Sequence, residues 1–147
     1  MAFSEHAVDY YGDHIFTTVT ASASVVDKWM DYFPQSLIDF LGYKRFTFVG
    51  KEVMNDAHKL KNDYGLVVGH CEDVAHWAAA NYGGEEDYRR FGLKRLVLKY
   101  LKKELEKPLK ITLSRWEFKK LSYQQMKYAC LDAFFSIKLG EFLSKAT

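Results

Sequence analysis

Apolar residues recur along this chain at two spacings, about two and about three and a half residues, and the alternation between them predicts its elements. Residues 14–20 (His-Ile-Phe-Thr-Thr-Val-Thr) are β-branched and aromatic and predict a strand, entered through a turn at Gly12–Asp13. Ser22 or Ser24 caps a short helix carrying Val25, Val26, Trp29 and Met30. Pro34 suits the first turn of a second helix, with Leu37, Ile38 and Leu41 on one side and Gly42 at its end. Residues 45–50 predict a strand buried on both faces through Phe46, Phe48 and Val49. Asn55 caps a helix that runs through Leu60 to Tyr64 and stops at Gly65, and residues 66–68 follow as a short strand. A helix is expected from Asp73 to Asn81, broken at Gly83–Gly84. Leu93, Leu96, Val97, Tyr100, Leu101 and Leu105 form a helical stripe, and Pro108 opens a loop. In the last helix, Ser122 and Gln125 have capping-box spacing, and Met126, Ala129, Cys130, Ala133, Phe134, Ile137 and Phe142 recur at helical intervals. Strands alternating with helices make this an α/β layer fold.

Composition narrows the class. The 147 residues fit one domain, residues 1–147, and an apolar fraction of 48% suffices for a core. A net charge of +2 selects no partner, but its distribution is uneven: residues 94–120 hold ten Lys or Arg against three Glu, which leaves the rest net acidic. Such a stretch follows phosphates or is simply a solvated helix face. Cys71 and Cys130 form neither a zinc pattern nor a disulfide framework, which points to a reducing compartment, cytoplasmic or nuclear. Residues 1–6 lack the pattern of a signal peptide, and no apolar run is long enough for a membrane, so no membrane association is expected.

Tyr128 and Asp132 are four apart on the last helix and therefore project from one face. A carboxylate there holds a divalent metal, and a phenol beside it positions a water by hydrogen bond. An aromatic half in the core beside an exposed Asp satisfies the same spacing. Asp56 follows the 45–50 strand in the first turn of a helix. It either complements the helix dipole or stands at the carboxyl edge of the sheet, where α/β folds build sites.

These residues stand in a longer context. Phe46-Thr-Phe-Val-Gly50, Asn55-Asp56, Leu60 and Asp63-Tyr64-Gly65-Leu66 resemble the second exonuclease motif of plant Werner-syndrome-like exonucleases. Gly92-Leu93-Lys94, Lys103-Glu-Leu-Glu-Lys-Pro108, Thr112-Leu-Ser114, Trp116 and Gln125-Met-Lys-Tyr128-Ala-Cys-Leu-Asp132-Ala133 match the same family in order and spacing. Residues 8–12, 17–20 and 22–27 resemble its N-terminal strand and helix. The resemblance is to the DEDD-type, Tyr-branch 3′–5′ exonucleases of the ribonuclease H-like superfamily. It implies an abbreviated ribonuclease H-like fold, a reduced mixed sheet flanked by helices. It also implies catalytic roles for Asp56, Tyr128 and Asp132, with Asp56 and Asp132 as metal ligands. Lys99, Lys103, Lys107, Lys110 and Arg115 lie in or beside the stretch that lines the family's substrate groove.

One part of the family pattern is missing. Between the first helix and the Pro34 helix the family carries a meander of strands whose first member bears Asp-x-Glu, the source of most direct metal ligands. Here Trp29–Met30 runs through Asp31-Tyr32-Phe33 straight into Pro34, and Asp-x-Glu occurs nowhere in the sequence. Glu52 stands where the family usually has glycine. Two-metal hydrolysis needs several carboxylates holding cations about 3.5–4 Å apart, and magnesium binds weakly to sparse ligands. The implied reading is a degenerate, catalytically inactive exonuclease-like domain that binds single-stranded nucleic acid or a protein. The alternative is a weak Mg²⁺- or Mn²⁺-dependent 3′–5′ exonuclease on DNA or RNA. Without the meander the 45–50 strand exposes an edge. The 14–20 strand is expected to pair with it, with a second copy or a protein partner as the other candidates.

Overall fold

The computed structural model describes residues 4–10, 13–19, 35–84, 87–116 and 120–145, the first two segments as backbone. The helix expected at 22–30 and the Pro34 position lie outside them. The chain divides into two compact units, Met1–Tyr32 with Glu106–Phe134 and Phe33–Leu105 with Phe135–Thr147.

In the first unit, β1 (Ser4–Tyr10) pairs antiparallel with β2 (Asp13–Val19) in a register from Ser4↔Val19 to Tyr10↔Asp13. The strand expected at 14–20 is present, shifted by one residue, but its partner is β1 rather than the 45–50 strand. Closing a two-residue connection costs far less chain entropy than reaching a strand thirty residues away.

The second unit begins with α1 (Gln35–Gly42), none of whose residues is buried. A β–α–β unit follows: β3 (Phe48–Gly50), α2 (Val53–Tyr64) and β4 (Cys71–Asp73). The two strands are parallel, with Phe48↔Cys71, Val49↔Glu72 and Gly50↔Asp73 in register. Strand β3 is shorter than expected and only half-buried. Phe46, which was to supply one of its faces, is largely exposed in a ring cluster with Phe40 and Tyr43. Among the described residues β4 is its hydrogen-bonded neighbour.

Two further expectations shift. Helix α2 starts two residues before Asn55, behind Glu52, whose backbone is left-handed at φ 58°. Asn55 lies in the first turn and donates its N–H to the Glu52 carbonyl at 2.9 Å. At the other end Gly65, at φ 67°, stops α2 as expected. Its N–H bonds back to the Lys61 carbonyl and that of Leu66 to the Leu60 carbonyl, closing the helix with a left-handed stop. Leu66 is thus still tied to the helix, which is why residues 66–68 form no strand and the strand appears at 71–73.

Helix α3 (Val74–Tyr82) lies within one residue of expectation. The stripe from Leu93 is not one regular helix. It is α4 (Leu93–Leu96) followed by a π turn, Val97–Leu101, stopped by Lys102 in a left-handed conformation. Pro108 does not open a loop but precedes α5 (Leu109–Thr112), its carbonyl accepting from the N–H groups of Ile111 and Thr112.

Helix α6 (Tyr123–Ser144) runs through both units. In the second unit Phe135, Leu139 and Leu143 are buried, as are Val74, Ala75, Ala78, Leu93, Leu96, Val97 and Leu105. Of the expected stripe Cys130 is buried and Met126 and Phe134 are half-buried, whereas Ala129, Ala133, Ile137 and Phe142 are exposed. Apolar and polar residues are mixed around the helix, so its periodicity does not decide which row faces the core. Packing does: a Cβ added at Gly140 would stand 3.0 Å from a Val49 methyl, so helix and strand approach where glycine permits it.

Candidate functional site

The capping box forms as the spacing predicts. Gln125 donates its N–H to Ser122 Oγ at 3.1 Å, and its Oε1 accepts the Ser122 N–H at 2.8 Å. Gln125 is buried, and its amide nitrogen reaches further, to Ser114 Oγ and the Arg115 carbonyl, each at 3.0 Å. One side chain therefore starts α6 and pins the loop after α5. Trp116 in that loop donates its indole N–H to the Thr112 carbonyl at 3.2 Å, and its ring lies 6.0 Å from that of Tyr128, tilted by 54°. Tyr128 is half-buried in this arrangement and Asp132, one turn on, is half-buried too. The aromatic pair and the second function of Gln125 escaped the sequence reading. The Ser-x-Trp element carried the only signal for them.

Asp56 is exposed in the first turn of α2, where a carboxylate complements the helix dipole. It belongs to the second unit and Tyr128 and Asp132 to the first. The acid that organises the β3–α2 corner is Asp73, which sequence reasoning placed only as a helix start. Its buried carboxylate accepts the Glu52 N–H at 2.7 Å and the Ala75 N–H at 2.8 Å.

Lys99 and Lys103 belong to the second unit, and Lys107, Lys110 and Arg115 to the first. The Lys99 ammonium lies 5.0 Å from the Tyr88 ring centre, so part of its charge is committed to a cation–π contact. Lys103, Lys107, Lys110 and Arg115 are exposed. Burial, and then the neighbouring Glu72 carboxylate, push the Cys71 thiol above its ordinary range, which makes it a poor nucleophile or metal ligand at neutral pH.

Among the described residues no three His, Cys, Asp or Glu side chains come together as a metal site. Among the same residues no helix is long and apolar enough to cross a membrane.

A family model described as 3′–5′ exonuclease matches residues 10–147. A 3′–5′ exonuclease of Arabidopsis thaliana is 37% identical over 110 residues, covering 75% of this chain and 37% of that protein. The exonuclease 3′–5′ domain-containing protein 2 of Mus musculus is 34% identical over 106 residues, covering 72% of this chain and 16% of its own length. The chain therefore spans well under half of either relative. Among solved structures, Brucella melitensis NrnC superposes with a TM-score of 0.64 at 19% identity, over 75% of this chain and 51% of its own. That likeness concerns the fold alone, and it agrees with an abbreviated ribonuclease H-like arrangement of a small parallel sheet and helices. With the family pattern running from residue 10 to residue 147, the chain belongs to the 3′–5′ exonuclease family.

Proposed function

We propose that this chain is a degenerate member of the family's Tyr branch, close to the plant Werner-like exonucleases, that has given up hydrolysis and acts by binding. The observation that carries this reading is internal to the sequence: residues 29–41 run from one family helix into the next with no Asp-x-Glu between them. In the two-metal mechanism of phosphodiester hydrolysis, a pair of cations stabilises the attacking and leaving oxygens. With Asp56 and Asp132 alone, a hard cation such as Mg²⁺ or Mn²⁺ keeps most of its waters and binds loosely. What the chain retains is a basic, aromatic surface for single-stranded nucleic acid. It also retains apolar side chains on and around α1, among them Leu37, Ile38, Phe40 and Phe46, that suit a protein partner or a second copy.

A second reading is favoured by the retention of Tyr128 and Asp132 one turn apart on α6, the family's third motif. On this reading the chain is a weak Mg²⁺- or Mn²⁺-dependent 3′–5′ exonuclease. Incubating the purified chain with end-labelled single-stranded DNA and RNA in each metal separates the two. The binding reading expects no shortening above background. A 3′–5′ ladder that disappears in Asp132→Ala overturns it.

A further inference from the structure

We infer that the apolar face of α1 and the turn after it, Leu37, Ile38, Phe40, Tyr43 and Phe46, docks against the same face of a second copy of this chain in a closed two-fold pair. This rests on the binding reading above and names its protein partner. Helix α1 has eight residues and none of them is buried. A helix so short is marginal in water, and most helical stability comes from packing an apolar face. Phe40 follows Leu37 by one turn, so the two stand on one side of α1. The Phe40 ring lies 5.3 Å from that of Phe46 and 5.3 Å from that of Phe48, and the Tyr43 ring lies 4.9 Å from that of Phe46. The rings hold one another, and Phe48 anchors them to β3. A patch shaped in advance loses little entropy on binding.

The area fits a second copy. Phe40, Tyr43 and Phe46 are 49%, 47% and 44% exposed, and Leu37 and Ile38 37% and 39%. Since one aromatic side chain offers about 150–250 Å², the five together leave on the order of 400 Å² of apolar surface. A standard interface buries about 800 Å² per partner, a little over half of it apolar. The charge fits as well. The patch itself is uncharged, and the same stretch carries both signs, Asp39 against Lys44 and Arg45, all exposed. Across a two-fold axis a face meets itself, so a rim of one sign would repel its own copy. A mixed rim does not, and a strongly acidic or basic partner finds no single-signed field here. The net charge of +2 adds little repulsion at long range. A two-fold axis normal to α1 sets the two helices antiparallel, which also opposes their dipoles. Both faces are used up in the one contact, so association stops at two.

The test is sedimentation velocity on the purified chain across the micromolar range, with a reductant present so that Cys71 and Cys130 form no cross-links. The parent is expected to pass from monomer to dimer with a micromolar dissociation constant and to go no further. Phe40→Asp/Phe46→Asp is expected to weaken the dimer at least about tenfold. Ile38→Lys, outside the ring cluster, is expected to do the same and decides the matter if circular dichroism shows the double variant unfolded. Leu109→Asp is the control for general stickiness: Leu109 belongs to the first unit, is 72% exposed, and should leave the dimer unchanged. Four outcomes overturn the inference: a chain that stays monomeric, association that runs on past two copies, a folded patch variant that dimerises like the parent, or a Leu109→Asp variant that does not dimerise. A monomeric chain refutes the second copy and leaves nucleic-acid binding standing, whereas a metal-dependent ladder in the nuclease assay refutes the loss of hydrolysis by itself.

Discussion

The carboxylate of Asp73 caps α3 through the Ala75 N–H and at the same time accepts the backbone N–H of Glu52, twenty-one residues earlier, at 2.7 Å. One buried acid thus ties the end of β4 to the turn that launches α2. Asp73→Ala is expected to destabilise the chain by about 2 kcal/mol, because it removes a helix cap and strands a second donor. Asp73→Asn should retain the larger part. Urea denaturation followed by circular dichroism measures both, and an alanine variant as stable as the parent would show that water replaces the bridge.

Glu52 holds a left-handed backbone that favours glycine, and its side chain makes no capping bond. Its departure from the family's glycine is therefore a local strain. Glu52→Gly should raise stability by about 0.5–1 kcal/mol, the relief of the Cβ contact less the added freedom of the unfolded chain. The readout is the urea midpoint at unchanged slope, and a lower midpoint would refute it.

At Gly140 any side chain runs into Val49, whose methyls lie 3.0 and 3.3 Å from the position of a Cβ. Gly140→Val is expected to cost about 1–3 kcal/mol through overpacking. Adding Val49→Ala should return part of that loss, so that the two changes couple in a double-mutant cycle. Additive costs would mean that helix and strand do not meet there.

Arg89 donates to the Asp87 carboxylate at 3.0 Å and, with Arg90 nearby, holds that carboxyl below its ordinary range. A depressed folded value means that the interaction contributes above the unfolded value and is lost as pH falls through the folded one. NMR titration should find Asp87 ionising below the ordinary aspartate range, and Arg89→Ala should move it back up. An unshifted Asp87 in the parent would sink this. The pair is exposed, so its effect on overall stability should be slight.

Local signals were legible in the sequence by itself because their physics closes within a turn or two. The Ser122–Gln125 box, the left-handed stop at Gly65 and the shared helix of Tyr128 and Asp132 each depend on residues no more than a few positions apart. The family pattern was legible for the same reason, being a string of such short elements. Tertiary structure decided what depends on a distant partner. It paired β2 with β1, because the nearest strand is reached at the least entropic cost. It began α2 behind Glu52, because Asp73 supplies the acceptor that Glu52 needs. It buried Phe135, Leu139 and Leu143 while leaving Ala133 and Ile137 of the expected row of α6 exposed, because a helix with apolar and polar residues mixed around it has no preferred face until another element packs against it.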